Sequence, residues 1–263
     1  MSSNDLSPEA LRRELRTKLI GQNILHYPKT PSTMDAAKQA IRDGAVEGTV
    51  VIADQQTFGR GRLGREWFSS PKSSILLSII LYPKLEYLPR LTMAACLAVV
   101  RSIEKLTGLE PTIKWPNDVL IDGKKVSGIL IESDISGDSV KYAIVGIALN
   151  VNFDPTAIPD ISETATSLKQ VLGREVSRKE VLVVLLGEFE GLYNELRRGE
   201  RIDREWHRRL DTLGKKVSVR CGDKIEDGVA QEVDGDGNLI LRRSDGSVVI
   251  IAAGDVTLRA HNY

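Results

Sequence analysis

The sequence predicts an α+β protein that ends in a separate small β module. Helical runs, notably Leu91–Thr107, are interspersed with strand-like segments as far as residue 213. From Lys215 onward the character changes, because short strand-like segments follow one another with Gly/Asp turns between them. Regular spacing of short strands is typical of a small β-barrel. A chain of 263 residues is long enough for one large domain and one such module.

The composition is that of an ordinary soluble globular protein, with 41% hydrophobic and 27% charged residues. Lys+Arg and Asp+Glu are both 36, so no net charge favours nucleic acid, and a local arginine cluster then indicates a specific anion. Cys96 and Cys221 lie far apart, and no histidine has metal-ligand spacing with either, which argues against a disulfide framework or a zinc site. The N-terminus has no apolar signal core, and no apolar run is long enough to span a bilayer. We therefore expect a cytoplasmic protein that does not bind a membrane.

Two helices are expected before the first glycine-rich segment. Ser7 is a good helix start and Gly21 a good helix end. The second helix is expected across residues 32–44, with Ser32 or Thr33 as its cap. After the glycine-rich segment, the expected elements are a strand at residues 75–81 and the helix Leu91–Thr107.

Further strands and helices are expected between residue 112 and the C-terminal module. Asp122-Gly123 is a strong two-residue hairpin signal, and Ser136-Gly137-Asp138 marks a looser turn. Ser177-x-x-Glu180 is a capping box that opens a long amphipathic helix, expected to end near Arg198. The expected strands are 112–114, 126–132 and 141–150; a helix follows at 202–210, and the strands of the module are 217–220, 229–233, 238–242 and 247–251.

The most informative segment is Phe58-Gly59-Arg60-Gly61-Arg62-Leu63-Gly64-Arg65-Glu66-Trp67, the Gly/Arg loop. Glycines let the backbone approach a ligand closely and arginines supply permanently charged planar donors, so the loop suits a polyphosphate. The spacing Gly59-x-Gly61-x-x-Gly64 also matches the dinucleotide fingerprint, which requires a helix directly after it. Residues 66–71 are a poor helix start, and this excludes a Rossmann-type nucleotide site.

A second dense motif is Lys114-Trp115-Pro116-Asn117-Asp118. Pro116 lacks an N–H donor and is expected to interrupt the strand, which exposes an amide and a carboxylate at a sheet edge. Asn117 suits a base or a phosphate, and Asp118 suits Mg²⁺ or an attacking amine that must be oriented. The alternative is a strand-ending turn in which both side chains only satisfy the backbone.

Lys125 and Asn150 are further candidates on two of the expected strands. Alternation along residues 124–130 predicts that Lys125 shares a face with Ser127 and Ile129, so that one of two adjacent lysines points into a site. A lysine pair after a hairpin turn is also typical of a solvated sheet edge. Asn150 ends an apolar strand, where it either reaches a ligand or caps the strand.

These motifs occur in one order with two others, and the series resembles biotin protein ligases, that is, biotin–(acetyl-CoA-carboxylase) ligases. The resemblance covers nearly the whole chain. It implies a mixed β-sheet with flanking helices, related to class II aminoacyl-tRNA synthetases, and an SH3-like C-terminal barrel. The implied division is an N-terminal helix at 1–22, a catalytic domain at 23–212 and the SH3-like domain at 213–263. The motifs are Thr30-Pro31-Ser32-Thr33-Met34-Asp35, Gln55-Gln56 with the Gly/Arg loop, Lys114 to Asp118, Gly123-x-Lys125-x-x-Gly128-Ile129-Leu130, and Gly146-Ile147-x-Leu149-Asn150.

The resemblance implies a two-step reaction with ATP and biotin as substrates and Mg²⁺ as cofactor. Biotin and ATP give biotinyl-5′-AMP and diphosphate, and a lysine of a biotin carboxyl carrier protein then takes the biotinyl group. Two anions must meet in the first step, so fixed cations and Mg²⁺ have to screen their repulsion. By analogy, the catalytic residues are Lys125, Arg60 and Asp118; the biotin-binding residues are Ser32, Thr33, Gln56, Arg60, Arg62 and Lys125; the nucleotide-binding residues are Arg62, Arg65, Trp67, Asn117, Asp118 and Asn150; and the Mg²⁺ ligand is Asp118.

Three further expectations follow from the same resemblance. Met34 stands where relatives often have Asn, which removes any contact from that amide but leaves those of Ser32 and Thr33. Residues 1–22 suffice for one helix, whereas bifunctional relatives carry a three-helix DNA-binding unit, so no DNA binding and no repressor role are expected. The strand at 141–150 is a candidate for homodimerisation.

Two other functions compete with biotin ligation as interpretations of the sequence. Lipoate ligases and octanoyltransferases resemble the same fold but lack the Gly/Arg loop together with the Lys114 to Asp118 motif. An RNA-binding module is disfavoured by the neutral charge and by an aromatic content of only 5%, without aromatic residues between the basic ones.

Overall fold

A seven-stranded mixed sheet is the larger layer of the computed structural model, which describes residues 6–258. Only β1 and β2 run parallel, and every other neighbouring pair is antiparallel. The predicted mixed sheet is therefore confirmed. Its strands are β1 (Ile24–Tyr27), β2 (Val50–Ala53), β3 (Ser74–Leu81), β4 (Thr112–Lys114), β5 (Asp118–Ile121), β6 (Lys124–Ser136) and β7 (Ser139–Asn150), in the spatial order β1-β2-β3-β7-β6-β5-β4.

Helices flank both faces of this sheet but cover them unequally. The main core lies on the face that packs against α3 and α5, with residues such as Leu97, Val145 and Leu185 fully buried. On the opposite face α2 covers a second, smaller cluster that includes Met34 and Ile144. The remainder of that second face is open, and it carries the cleft described below. The helices are α1 (Pro8–Arg12), α2 (Thr33–Arg42), α3 (Leu91–Thr107), α4 (Leu168–Leu172), α5 (Arg178–Arg197) and α6 (Asp203–Arg209).

Capping residues set the helix starts as the sequence predicts. Ser32 caps α2 by accepting from the Met34 N–H, and Ser177 caps α5 by accepting from the Glu180 N–H. α3 covers Leu91–Thr107 and ends at Gly108, whose φ of 73° is the left-handed conformation that terminates helices. None of the helices within residues 6–258 combines the length and apolar character that crossing a bilayer requires.

The first helix is shorter than predicted. Ser7 caps α1 as expected, but the helix ends at Arg12 rather than at Gly21. The N–H groups of residues 18, 19 and 20 donate instead to the carboxylate of Glu190 on α5, each at 2.7 Å. A buried carboxylate that accepts several backbone bonds is well compensated, so this tertiary contact replaces the last turns of the helix.

At Pro116 the chain reverses, so the strand-ending turn describes the backbone here and the single interrupted strand does not. β4 ends at Lys114, and β5, which was not predicted, starts at Asp118 and pairs antiparallel with it. The turn between them brings Asn117 and Asp118 to the end of the sheet. The predicted hairpin at Asp122-Gly123 is confirmed, with positive φ at both residues.

The C-terminal module is a five-stranded antiparallel sheet, in agreement with the prediction of a small β module. Four of its strands were expected, and the fifth, β12, was not. The Trp115 indole N–H donates to the Gly237 carbonyl at 2.8 Å and so ties the module to the β4–β5 turn. The strands are β8 (Lys216–Cys221), β9 (Lys224–Val233), β10 (Leu239–Arg242), β11 (Val248–Ile251) and β12 (Asp255–Leu258), in the order β11-β10-β9-β8-β12.

Candidate active site

One cleft of about 650 Å³ lies on the open face of the large sheet. The Gly/Arg loop crosses it, and the C-terminal sheet closes one end. Every site residue that the sequence singles out lies on its wall, although they come from five separate segments of the chain. These residues are Ser32, Thr33, Gln56, Arg60, Arg62, Arg65, Trp67, Asn117, Asp118, Lys125 and Asn150.

The floor of the cleft depends on two glycines. A Cβ at Gly128 would lie 2.9 Å from the Trp67 ring and 3.1 Å from Lys125 Cε. A Cβ at Gly146 would lie 2.7 Å from Met34 Sδ. These three distances are shorter than ordinary van der Waals contacts of a Cβ, so any larger residue at either glycine would displace the side chains above the sheet. At Gly128 the close neighbours are the side chains of Trp67 and Lys125.

A chain of hydrogen bonds holds the polar side chains at the start of α2. The Thr33 hydroxyl donates to Gln56 Oε1 at 3.0 Å, and the Thr33 backbone N–H donates to the same oxygen at 2.7 Å. The Ser78 hydroxyl donates to Thr33 Oγ1 at 2.9 Å. Ser32 Oγ accepts from the Met34 N–H, so its own hydroxyl hydrogen remains available to a ligand. This end of the cleft offers fixed neutral donors rather than charges.

Met34 forms the apolar part of the same wall. Its side chain is 4% exposed and its sulfur lies 3.3 Å from Ser78 Oγ, directly above Gly146. A thioether is polarisable and accepts only weak hydrogen bonds, so Met34 presents bulk where an asparagine would present an amide.

The three arginines of the Gly/Arg loop contact three different parts of the fold. Arg60 pairs with Asp35 on α2 at 2.6 Å and lies 3.8 Å from Glu132 on β6. Arg62 Nη1 donates to Asn117 Oδ1 at 3.0 Å. Arg65 pairs with Asp255 on β12, with Nη1 3.2 Å from Oδ1. Protein acceptors thus offset the repulsion among these cations.

Arg62 is the most enclosed of the three arginines. Burial lowers the pKa of its guanidinium, and the nearby carboxylates of Asp118 and Asp255 oppose that shift. An arginine starts from so high a pKa that it stays charged, and its charge acts more strongly in a partly desolvated cleft.

Lys125 reaches the cleft through a β-bulge. The register of β6 against β5 shifts between Lys125 and Ser127, so Val126 is an extra residue. The expectation that Lys125 shares a face with Ser127 and Ile129 is therefore wrong. Val126 and Ile129 both pack in the main core, whereas Lys125 lies on the cleft side beside Gly128.

The ammonium of Lys125 has two neighbours in the cleft. Nζ lies 2.7 Å from Asp118 Oδ1 and 5.4 Å from the centre of the Trp67 ring. The indole nitrogen of Trp67 is buried and has no hydrogen-bond partner among the described residues. A buried donor of this kind normally has an acceptor, so Trp67 provides a polar contact as well as an aromatic surface.

The two asparagines serve the backbone as well as the cleft. Asn117 Nδ2 donates to the Ile129 carbonyl at 2.7 Å, and Asn150 Nδ2 donates to the Thr166 carbonyl at 3.0 Å. The amide nitrogen of Asn150 therefore caps the strand, as the alternative interpretation predicted. Asn150 Oδ1 accepts from the Ser74 hydroxyl at 3.5 Å, and the residue, 3% exposed, lines the cleft.

Several wall residues were not singled out from the sequence. Lys215, Asp255 and Thr257 come from the C-terminal module, and Lys114 is the last residue of β4. Lys114 belongs to the second motif, so its position could have been found from the sequence. Asp255 lies on the unpredicted strand β12 and has no local signal, because only the docking of the module brings it to the cleft.

Comparison with known proteins decides the family. Residues 27–150 match the model of the Biotin/lipoate A/B protein ligase family, and residues 212–259 match the Biotin protein ligase C terminal domain. The bifunctional ligase/repressor BirA of Bacillus subtilis is 37% identical over 253 residues, which cover 94% of this chain and 78% of that protein. This chain belongs to the biotin protein ligase family.

Other members align over almost their whole length. The biotin–(acetyl-CoA-carboxylase) ligase of Mycobacterium tuberculosis is 32% identical over 265 residues, covering 95% of this chain and 96% of that protein. The biotin protein ligase of Aquifex aeolicus, solved in complex with biotin and ATP, superposes with a TM-score of 0.78 at 30% identity. That match covers 90% of this chain and 99% of the solved chain.

Proposed function

We propose that this chain is a biotin–(acetyl-CoA-carboxylase) ligase, which activates biotin with ATP and transfers it to a lysine of a biotin carboxyl carrier protein. The observation that carries the proposal is the single cleft, in which neutral donors at one end face a cluster of cations at the other. Biotin has the same division, since a neutral ring system is joined by an apolar chain to a carboxylate. The relatives that share the motifs are named as biotin ligases.

In the first step, we propose that Ser32, Thr33 and Gln56 hydrogen-bond the ureido group of biotin. The chain then leads its carboxylate toward Lys125. Attack of that carboxylate on the α-phosphorus forms the acyl–phosphate bond of biotinyl-5′-AMP and releases diphosphate. Lys125, Arg60 and Arg62 would screen the repulsion between the two anions, and charge fixed in place before the reaction stabilises the transition state without reorganisation.

The nucleotide end of the cleft has a matching set of groups. Trp67 would stack near the adenine, and its unpartnered N–H is a donor that an adenine or ribose acceptor can use. Arg62, Arg65 and Asn117 would contact phosphate or ribose oxygens. Asn150 would contribute its amide oxygen. A bound nucleotide would compete for cationic side chains that now contact protein acceptors. These contacts are Arg62 with Asn117, Lys125 with Asp118 and Arg65 with Asp255.

The donor set fits Mg²⁺ carried by the nucleotide rather than an all-protein metal site. Within residues 6–258, no group of three or more His, Cys, Asp or Glu side chains is placed to hold a metal ion. Asp118 offers one carboxylate, and Mg²⁺ is commonly held by one or two carboxylates together with substrate phosphates. When bound, Mg²⁺ would neutralise phosphate charge and polarise the phosphoryl oxygens.

In the second step, the amine of the carrier lysine would attack the carbonyl carbon of the mixed anhydride. An amide bond forms, the acyl–phosphate bond breaks, and AMP leaves. Lys125 would stabilise the oxygens of the leaving phosphate, and Asp118 would help the attacking amine to lose its proton. The Gly/Arg loop would cover the intermediate and keep water from the anhydride.

ATP–diphosphate exchange tests the first step. We expect exchange that depends on biotin and is absent with lipoate or with no acid. Exchange that depends on lipoate instead would overturn the assignment and favour the related lipoate chemistry. Transfer is then measured as biotin incorporation into a carrier domain, with a carrier lacking its acceptor lysine as the control.

We also propose the domain organisation, location and partners that the sequence suggested. The division at 1–22, 23–212 and 213–263, the cytoplasmic location and the lack of DNA binding remain predictions. A gel shift with upstream DNA of the organism's biotin genes, in the presence of biotin and ATP, tests the last of these, and a sequence-specific shift would contradict it. Homodimerisation through residues 141–150 cannot use strand pairing along residues 143–149 of β7, because these residues are paired with β3 on one side and β6 on the other.

A further inference from the structure

A fully buried arginine lies behind the cleft, where the proposed mechanism does not use it. Arg178 is the first residue of α5 and its side chain is 0% exposed. Nη2 donates to Asp54 Oδ1 at 3.1 Å, and Nη1 donates to the Ser74 carbonyl at 3.2 Å. Burial lowers the pKa of this guanidinium, and the Asp54 carboxylate opposes the shift. An arginine starts from so high a pKa that the guanidinium stays charged in the protein interior.

The two acceptors of Arg178 lie at the two ends of one connection. Asp54 directly follows β2, and Ser74 is the first residue of β3. Everything between them, residues 55–73, forms the β2–β3 connection that contains Gln56 and the Gly/Arg loop. The Asp54 carbonyl also accepts from the Lys72 N–H at 2.9 Å, so the connection is closed at its base by a main-chain bond and by one guanidinium.

This pair is not the only link between β2 and β3. The β2–β3 ladder, which runs from Val50↔Ile79 to Ala53↔Leu76, already holds the two strands together. Arg178 acts beyond the end of that ladder, on the loop side. Apolar groups often replace a buried ion pair without loss of stability, because desolvation offsets much of the attraction. What a bidentate arginine adds is direction, since its donors fix both acceptors in one plane.

We propose that Arg178 is a positioning residue of the β2–β3 connection. By holding Asp54 and the Ser74 carbonyl together, it sets where Gln56 and the arginines of the Gly/Arg loop stand over the cleft. The test by the KM for biotin rests on the proposed biotin-activating function. The role of Arg178 in placing the loop does not depend on that function.

Arg178→Lys tests the proposal in the full chain, because lysine keeps the charge but cannot serve both acceptors in the same geometry. We expect the KM for biotin to rise about tenfold, the effect of losing one charge-assisted hydrogen bond, with a smaller change in kcat. The matched control is Arg101→Lys, which weakens the bidentate pair between Arg101 on α3 and Glu205 on α6, away from the cleft. The control should leave the KM for biotin within about twofold, since exposed or half-exposed pairs contribute little.

Trypsin gives a second readout that does not depend on the reaction. The loop offers cleavage sites after Arg60, Arg62 and Arg65. We expect faster cleavage there in Arg178→Lys than in Arg101→Lys, when both variants have been matched for thermal unfolding. Equal cleavage and an unchanged KM for biotin, with only a lower Tm, would overturn the proposal and leave an ordinary structural ion pair.

Asp54→Asn provides the corresponding test if Arg178→Lys does not fold. It keeps the shape of the acceptor and removes its charge, and we expect the same faster cleavage in the loop. The effect of the double variant on loop cleavage should be smaller than the sum of the single effects, because both variants remove the Arg178–Asp54 bond, while each also loses a contact of its own, with the Ser74 carbonyl or with His26. Additive effects would contradict the proposal. If wild-type protein shows no biotin-dependent exchange, the proposed function fails, while the trypsin comparison still decides the role of Arg178.

Discussion

The two walls of the cleft are built in different ways. On the sheet wall, Lys125 and Asp118 project from β6 and β5, whose main chains are held by ladder hydrogen bonds. On the loop wall, the arginines depend on side-chain partners, for example Asp35 for Arg60 and Asp255 for Arg65. The sheet wall is therefore fixed by the backbone, whereas the loop wall is held by contacts that a substrate anion can replace.

This difference suits the charges of the sheet wall and the arginines of the loop wall to different tasks. A group that must stand within a fraction of an ångström of the reacting atoms belongs on a rigid element, because misplacement lowers the rate steeply. A group that must admit the substrate and then close over it has to exchange partners. Exposed ion pairs contribute only about 0–1 kcal/mol, so the loop arginines can leave their carboxylates at little cost.

The largest effect is expected on the sheet wall, from Lys125→Ala. We expect adenylation to fall by about two to three orders of magnitude, as when one preorganised donor to a developing charge is removed. Lys124→Ala is the matched control, because the neighbouring lysine does not border the cleft. The measurement is biotin-dependent ATP–diphosphate exchange, with thermal unfolding to show that both variants fold. Near-normal exchange in Lys125→Ala would contradict the charge-screening role.

A smaller effect is expected from Gly128→Ala, which disturbs the same wall from below. The added Cβ displaces the Trp67 ring and the Lys125 side chain, and we expect about a tenfold loss of exchange from their misplacement. Gly187→Ala on α5 adds the same atom into open space and should retain full exchange. Equal activity of the two variants would show that the floor tolerates a methyl group.

The loop wall should respond more weakly still, and Arg65→Ala tests this. Loss of its proposed contact with phosphate or ribose oxygens should raise the KM for ATP about threefold to fivefold, as expected for an exposed charged contact. Arg90→Ala breaks another pair with the C-terminal module, between Arg90 and Asp236 at 3.1 Å, without touching the loop. The control should leave the KM for ATP unchanged. An effect of Arg65→Ala as large as that of Lys125→Ala would remove the distinction between the walls.

The smallest effect is expected from Met34→Leu. The two side chains have similar volumes, so the apolar contact above Gly146 is kept, and the KM for biotin should stay within about twofold of wild type. Thermal unfolding checks that the small core under α2 is intact. A tenfold rise in KM would mean that the sulfur contact with Ser78, rather than bulk, is what Met34 provides.

Local signals in the sequence predict most of the fold and nearly all of the cleft. α3 is reproduced from Leu91 to Thr107 because an apolar run and a terminal glycine are both local features. The residues of the site could be predicted as one group because five motifs occur in the same order as in a known family. No single motif would have indicated that these residues lie in one cleft. The mixed sheet itself followed from that resemblance.

The errors have tertiary causes. α1 stops early because the Glu190 carboxylate, some 170 residues away in sequence, takes its N–H groups. The face of Lys125 was assigned wrongly because the bulge at Val126 depends on pairing with β5, a strand that the sequence did not reveal. Asp255 was missed for the same kind of reason, since only the docked module brings it beside Arg65.

The contact between Trp115 and Gly237 has a consequence for exchanging parts between relatives. Gly237 has a φ of 85°, and a Cβ there would lie 2.7 Å from Met93 Cε, so the turn strongly favours glycine where the carbonyl meets the indole. Consider a chimera that takes its C-terminal module from another family member. Docking of that module would depend more on this one turn than on where the two sequences are joined. A donor module with a larger residue there would be held away from the indole, and the recipient's own Asn117 and Asp118 would lose the support of the tryptophan that precedes them.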